Sequence, residues 1–147
     1  MNRHLIAALA LALAPSASLA HVAPTPQSAQ AGAYTQVAFR VGHGCDGQAT
    51  TALRIEIPER LPEVRSRGVR GWRLATEKTK QGRTSALTWT GRLPDDRFEV
   101  FELFFKAPVE AGPMTFNIVQ TCGRTTAKWT PTVTVTPAQP ASGAHQH

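Results

Sequence analysis

The sequence predicts an all-β fold, an antiparallel β-sandwich, on three observations. Apolar and polar residues alternate with period two in several segments. Clusters of Gly, Pro, Asp and Lys interrupt those segments roughly every ten to fifteen residues, as turns between short strands do. Nowhere do apolar residues recur at the spacing of an amphipathic helix.

Each element follows from its own residues. The opening of the folded part, "HVAPTPQSAQAGAY" (21–34), holds two prolines and no helical period, so it runs extended. Val37, Phe39 and Val41 then alternate with Gln36, Arg40 and Gly42, and Leu53, Ile55 and Ile57 alternate with Arg54 and Glu56. These are half-buried strands, closed by "GHGCDG" (42–47) and by Pro58. Within that turn Asp46 reads as an Asx-turn residue. Further strands are expected at "GWRLATE" (71–77), "SALTWTG" (85–91), "RFEVFELFFKAP" (97–108), "MTFNIVQTC" (114–122) and "KWTPTVTVTP" (128–137). The total is seven or eight strands, the number a sandwich of this kind uses. In the 97–108 segment Phe98, Val100 and Phe101 break the alternation, which predicts a bulge near Val100-Phe101. Trp72, after Gly71, is expected to pack in the core. The final stretch, 138–147, is small, polar and proline-rich, and reads as disordered.

The first twenty residues have the layout of a secretory signal. Arg3 is a basic start, Leu5–Ala14 an apolar core, and Ser18-Leu19-Ala20 a small-residue cleavage site. The apolar run is too short to cross a bilayer core, which takes about 20 residues. The expected product is a periplasmic or secreted domain over 21–137 that begins at His21 and holds no transmembrane segment. In that compartment Cys45 and Cys122 read most simply as one disulfide, and the other reading is a pair of thiolate metal ligands.

The formal net charge is +6, and much of the excess lies at Arg60, Arg65, Arg67, Arg70, Arg73, Lys78, Lys80 and Arg83. With only Trp72 as an interleaved aromatic, that region reads as solvated basic loops and not as a nucleic-acid surface. Hydrolytic chemistry finds little support. Ser28 and Ser66 have no His/Asp context, and Asp95-Asp96 reads as a turn before a strand. A blue-copper carrier needs a free Cys, two His and usually a Met. Met114 lies in a strand-like segment and both cysteines are expected to be joined, so that mechanism is disfavoured.

An N-terminal histidine, by contrast, offers its α-amine and imidazole Nδ1 to one metal ion. A free α-amine titrates near pH 8 and gives up its proton readily to a competing metal. Two nitrogens completed by oxygen suit the tetragonal preference of Cu(II). The absence of a free thiolate and of any other methionine after cleavage speaks against Cu(I). His43 on the turn is a candidate second imidazole, or a histidine bonding its own loop. Asp46, Glu56, Glu59, Glu99 and Glu102 are the candidate oxygen donors. His145 and His147 offer a weak site in the tail.

Taken together, "HVAPTPQSAQAGAYTQVAFRVGHGCDG" followed by Thr50-Thr51, "GWRLATE", "LTWTGRLPDDRFEVFELFFKAP" and the late "QTC … KW" resemble the YcnI-like copper-binding domain family from His21 to about Thr136. The resemblance implies a sandwich of cupredoxin or immunoglobulin type that holds Cu(II) in a one-histidine brace with a tryptophan close by. Carried over, His21 is the brace histidine and Trp129 the tryptophan beside the metal; on parity with Val133 and Val135 alone, Trp129 is a core residue. The chain departs from the family at Val100, where many relatives carry a carboxylate, and at Gly42, where a proline is common. Some relatives are membrane-tethered through a C-terminal helix, which this sequence lacks. The resemblance thus implies a copper protein in trafficking or homeostasis, not an enzyme, with periplasmic copper chaperones or membrane copper transporters as partners. Two other functions compete: an oxidative copper enzyme using a two-histidine brace completed by His43, and a metal-free interaction module that docks through its basic region.

Overall fold

The structure, a computed structural model, describes residues 22–140. Within them the chain forms twelve strands: β1 (Ala23–Thr25), β2 (Ser28–Gln30), β3 (Tyr34–Val41), β4 (Thr50–Glu56), β5 (Val64–Ser66), β6 (Arg73–Lys78), β7 (Thr84–Leu93), β8 (Glu99–Lys106), β9 (Gly112–Thr115), β10 (Asn117–Cys122), β11 (Thr125–Trp129) and β12 (Thr132–Thr136). They make a four-stranded sheet ordered β1-β3-β8-β5, a five-stranded sheet ordered β11-β10-β4-β7-β6, and a small sheet ordered β2-β12-β9. All of the strand pairings are antiparallel apart from that of β2 with β12.

The alternation read from the sequence is what fills the space between the sheets. Val37, Phe39 and Val41 of β3 and Phe101, Leu103 and Phe105 of β8 meet Leu53, Ile55, Leu87, Trp89 and Ile118 of the larger sheet in one buried cluster. Aromatic contacts cross between layers. Phe39 meets Phe116 edge-on at 5.0 Å, and Phe101 lies between Trp89 at 5.3 Å and Trp72 at 5.1 Å. Each such side chain contributes roughly 1.5–3 kcal/mol by leaving water. Trp72 therefore packs where expected, against the core. It also lies over Gly91, where an added Cβ would stand 2.4 Å from its ring.

Three expectations need correction. No bulge occurs at Val100-Phe101: β8 pairs with β3 without interruption from Glu99 to Lys106. Phe98 had suggested one, but it lies before the strand and is 67% exposed, so Phe101, Leu103 and Phe105 keep strict alternation. The register shifts fall instead between Thr50 and Ala52 and between Glu77 and Lys78. The segments 114–122 and 128–137 are each two strands, not one. The chain changes sheet at Phe116 and at Thr130-Pro131, where Phe116 N donates to Pro131 O. The strand count is accordingly higher than seven or eight, with β1, β2 and β5 as short additions. The expected disordered tail lies largely outside the described residues.

The basic stretch is distributed rather than pooled. Arg65 pairs with Glu63 and Arg67 with Glu102. Arg60 donates to the carbonyls of Glu110 and Pro113, and Arg83 to those of Ile57 and Thr84. β6, one of the two edge strands of the larger sheet, carries Arg73 and Lys78, charges that discourage edge-to-edge pairing.

Candidate functional site

The turn between β3 and β4 is built by its own residues. Asp46 and Gly47 both have positive φ, 49° and 76°, as the central pair of a tight type I′ hairpin turn must. Cys45 and Gln48 exchange backbone hydrogen bonds across them at 3.1 and 2.9 Å. Asp46 thus serves the turn through its backbone conformation. Gly44 is required by close approach: an added Cβ would stand 1.7 Å from Gln48 O.

Three tethers hold this turn to the sandwich. Cys45 is disulfide-bonded to Cys122 at the end of β10, so neither sulfur is a thiolate ligand. Asp95 Oδ1 accepts from Gly44 N at 3.0 Å, which gives one half of the Asp95-Asp96 turn a specific role. Gln120 Nε2 donates to His43 O at 2.9 Å.

Gln120 is the residue that sequence reasoning passed over. On β10 the core-facing positions are Ile118, Gln120 and Cys122, all buried, so a primary amide stands in an apolar row. Its Nε2 also donates to the buried Thr50 Oγ1 at 2.8 Å, and its Oε1 accepts from Trp129 Nε1 at 3.1 Å. The signal was there: a glutamine on core parity inside "NIVQTC" is a buried polar group that must find partners.

Trp129, at the end of β11, sits opposite Ile118 and is half-buried against the core. Its indole is thereby joined through one amide to the His43 turn, although the two residues are remote in sequence. His43 is itself half-buried, with Nδ1 2.7 Å from Gly44 O. A carbonyl oxygen only accepts, so Nδ1 carries the proton in that contact and the lone pair of the neutral ring sits on Nε2.

The chain enters the sandwich at the same end. Val22 is buried, and Ala23 pairs with Arg40, one residue before Val41 ends β3 and the His43 turn begins. Glu99 pairs with Val41 at this end and has the parity of the core-facing Phe101, while its Oε1 accepts from Val100 N. The other acidic candidates stand elsewhere. Glu102 accepts from Gln36 and Arg67. Glu56 accepts from Asn117 at the end of β4 remote from Thr50 and, with Glu59, lines a separate polar cleft. His21, His145 and His147 lie outside the described residues. Among the described residues no three His, Cys, Asp or Glu side chains converge as a metal-holding group. Nor is any helix there long and apolar enough to cross a membrane.

Two facing sheets with a bridged hairpin at one end define a sandwich of immunoglobulin type, and a solved structure has that likeness. The chain aligns with the crystal structure of an uncharacterized protein from Nocardia farcinica, described as having an immunoglobulin-like fold. The TM-score is 0.67 at 21% identity, over 81% of this chain and 99% of that one. By sequence the chain belongs to the family described as a domain of unknown function, DUF1775, which is the YcnI-like family; the match covers residues 21–145. No protein of curated function matches it.

Proposed function

We propose that this chain is an exported Cu(II)-binding protein that holds the ion through the amine and imidazole of a mature N-terminal His21 and serves copper trafficking or homeostasis. The observation that carries the reading is where the chain enters the fold. Val22 and Ala23 are fixed beside the end of β3, next to the His43 turn. The α-carbon of residue 21 is only about 3.8 Å from that of Val22. A free N-terminus starting there is tied to a rigid body within one residue of its donors. The family match begins at residue 21, leaving the leader-like segment outside it. At the same end stand the Gln120-tethered Trp129 and His43, and Glu99 is the acidic candidate that register brings there. A neutral indole nitrogen has no lone pair to give, so Trp129 serves as a neighbour that shapes and shields the site. The periplasm is the compartment this reading requires, with copper chaperones or membrane copper transporters as the partners that exchange the ion.

Mass spectrometry of the exported protein should find a chain starting at His21, since any residue ahead of it turns the amine into an amide. EPR of that protein with one equivalent of Cu(II) should show a type-2 signal with nitrogen couplings. His21→Ala should abolish it, and an unchanged signal in that variant sinks the proposal. If His43→Ala weakens copper binding, the His43 Nε2 lone pair is a second ligand and a two-histidine oxidative site becomes the better reading. Titration with Cu(II) that finds no site tighter than about 10 μM favours a metal-free interaction module.

A further inference from the structure

We infer that Gln120 is the positioning residue of the candidate site: its buried amide locks the Trp129 indole and the His43 turn into one rigid unit. The significance of that lock for copper rests on the Cu(II) reading above; the lock itself does not.

Gln120 is fully buried between Ile118 and Cys122 on a core-facing row that an aliphatic side chain would fill at no polar penalty. An amide taken from water without partners loses several kcal/mol in an apolar environment. Here both N–H groups donate, to His43 O and Thr50 Oγ1, and the carbonyl accepts from Trp129 Nε1. A fully satisfied buried network of this kind specifies geometry, because each partner is held in one orientation and losing any one leaves a buried group unpaired.

The three partners are the reason the geometry bears on function. One is the backbone of the residue that carries the second candidate imidazole. One is the candidate shielding indole. The third, Thr50, opens the strand that follows the turn, and its Oγ1 lies 3.8 Å from Cys122 Sγ, a partner in the turn's disulfide. The disulfide restrains the turn at Cys45, whereas Gln120 restrains it at His43. Without the amide, the Trp129 ring loses the acceptor of its Nε1–H, and the His43 segment loses its nearest tie to β10.

The test uses the full mature chain. In the metal-free protein the Trp129 indole N–H resonance, identified by its loss in Trp129→Phe, should be protected from exchange. Gln120→Leu should shift it and speed its exchange at least tenfold, with the Trp72 indole unmoved. Thr50→Val keeps the shape, removes one Gln120 acceptor and touches Trp129 by no hydrogen bond of its own, so a shift of the same resonance reads coupling through the amide. An unmoved Trp129 resonance in Gln120→Leu, or in Thr50→Val should the first variant not fold, overturns the lock. With Cu(II), a displaced indole should be accompanied by a changed copper hyperfine splitting and an at least fivefold weaker affinity. A displaced indole with both copper readouts unchanged reduces Gln120 to a structural residue and overturns its positioning role. Failure of the copper reading is a separate result: wild-type EPR that survives His21→Ala, with the metal-free resonances behaving as stated.

Discussion

At the scale of single residues, the turn that carries His43 depends on atoms that leave no room for a side chain. Gly44→Ala must push Gln48 O away from a Cβ that would otherwise sit 1.7 Å from it, and with it strain the Cys45–Gln48 pairing. Thermal or urea unfolding should show a loss of about 2 kcal/mol or more, within the range of strained backbone sites. Gly42→Ala, two residues away with nothing within 4 Å, is the matched control and should stay within about 0.5 kcal/mol of wild type. Equal losses in the two variants would show that the turn has slack that the close approach denies. Gln120 belongs to the same scale, because a single amide there ties together two residues that the sequence keeps far apart.

At the scale of elements, β10 is where the candidate site is assembled. It carries Gln120 and Cys122, lies between β11 and β4, and ends in the disulfide to the turn. The bridge closes a sequence separation of 77 residues, for which the chain-entropy account gives about 4 kcal/mol. Replacing both cysteines by serine should lower the urea midpoint by that order, read as a stability loss by linear extrapolation. A change below about 1 kcal/mol would mean that the hydrogen bonds of Gln120 and Asp95 already hold the turn. β8 offers a test of the core instead. Phe101 joins Trp72 and Trp89 across the layers, and Phe101→Ala should cost about 3–5 kcal/mol in the same measurement. The element scale also shows why strand reading from sequence goes astray where it does. Phe98 and Phe101 differ by three positions, so they cannot share a face of one strand, and the structure resolves this by beginning the strand at Glu99. Similarly, "MTFNIVQTC" reads as one strand because its alternation persists through Phe116, where the chain passes from the small sheet to the large one.

At the scale of the whole molecule, ligand binding and folding are linked. A ligand that binds only the folded chain raises its stability, by about 2.7 kcal/mol at a free concentration one hundred times Kd. Cu(II) should therefore raise the melting temperature of the mature protein in a concentration-dependent way, and His21→Ala should lose the increment. Both proposed donors bind the metal when deprotonated, so binding releases protons and the increment should shrink as the pH is lowered from 8 to 5. A melting temperature indifferent to copper across that range would count against the N-terminal site whatever its spectrum showed.

The amino-acid order was enough for the class of the fold, the strands with clean alternation and the turn at 42–47, and it made a Cys45–Cys122 bridge the simpler of two readings of the cysteines. Each of these follows from periodicity, from turn chemistry, or from there being only two cysteines, all of which are local or combinatorial constraints. His43 and Trp129 were legible there only as separate residues, one from its loop and the other from a resemblance. That they share an amide, that Glu99 pairs with Val41 while Glu56 lies at the other end of β4, and that the chain enters near the His43 turn all came from the tertiary packing. Those facts depend on register and on which sheet each strand joins. Register is set by how the buried faces of many strands fit at once, so no short stretch of sequence contains it.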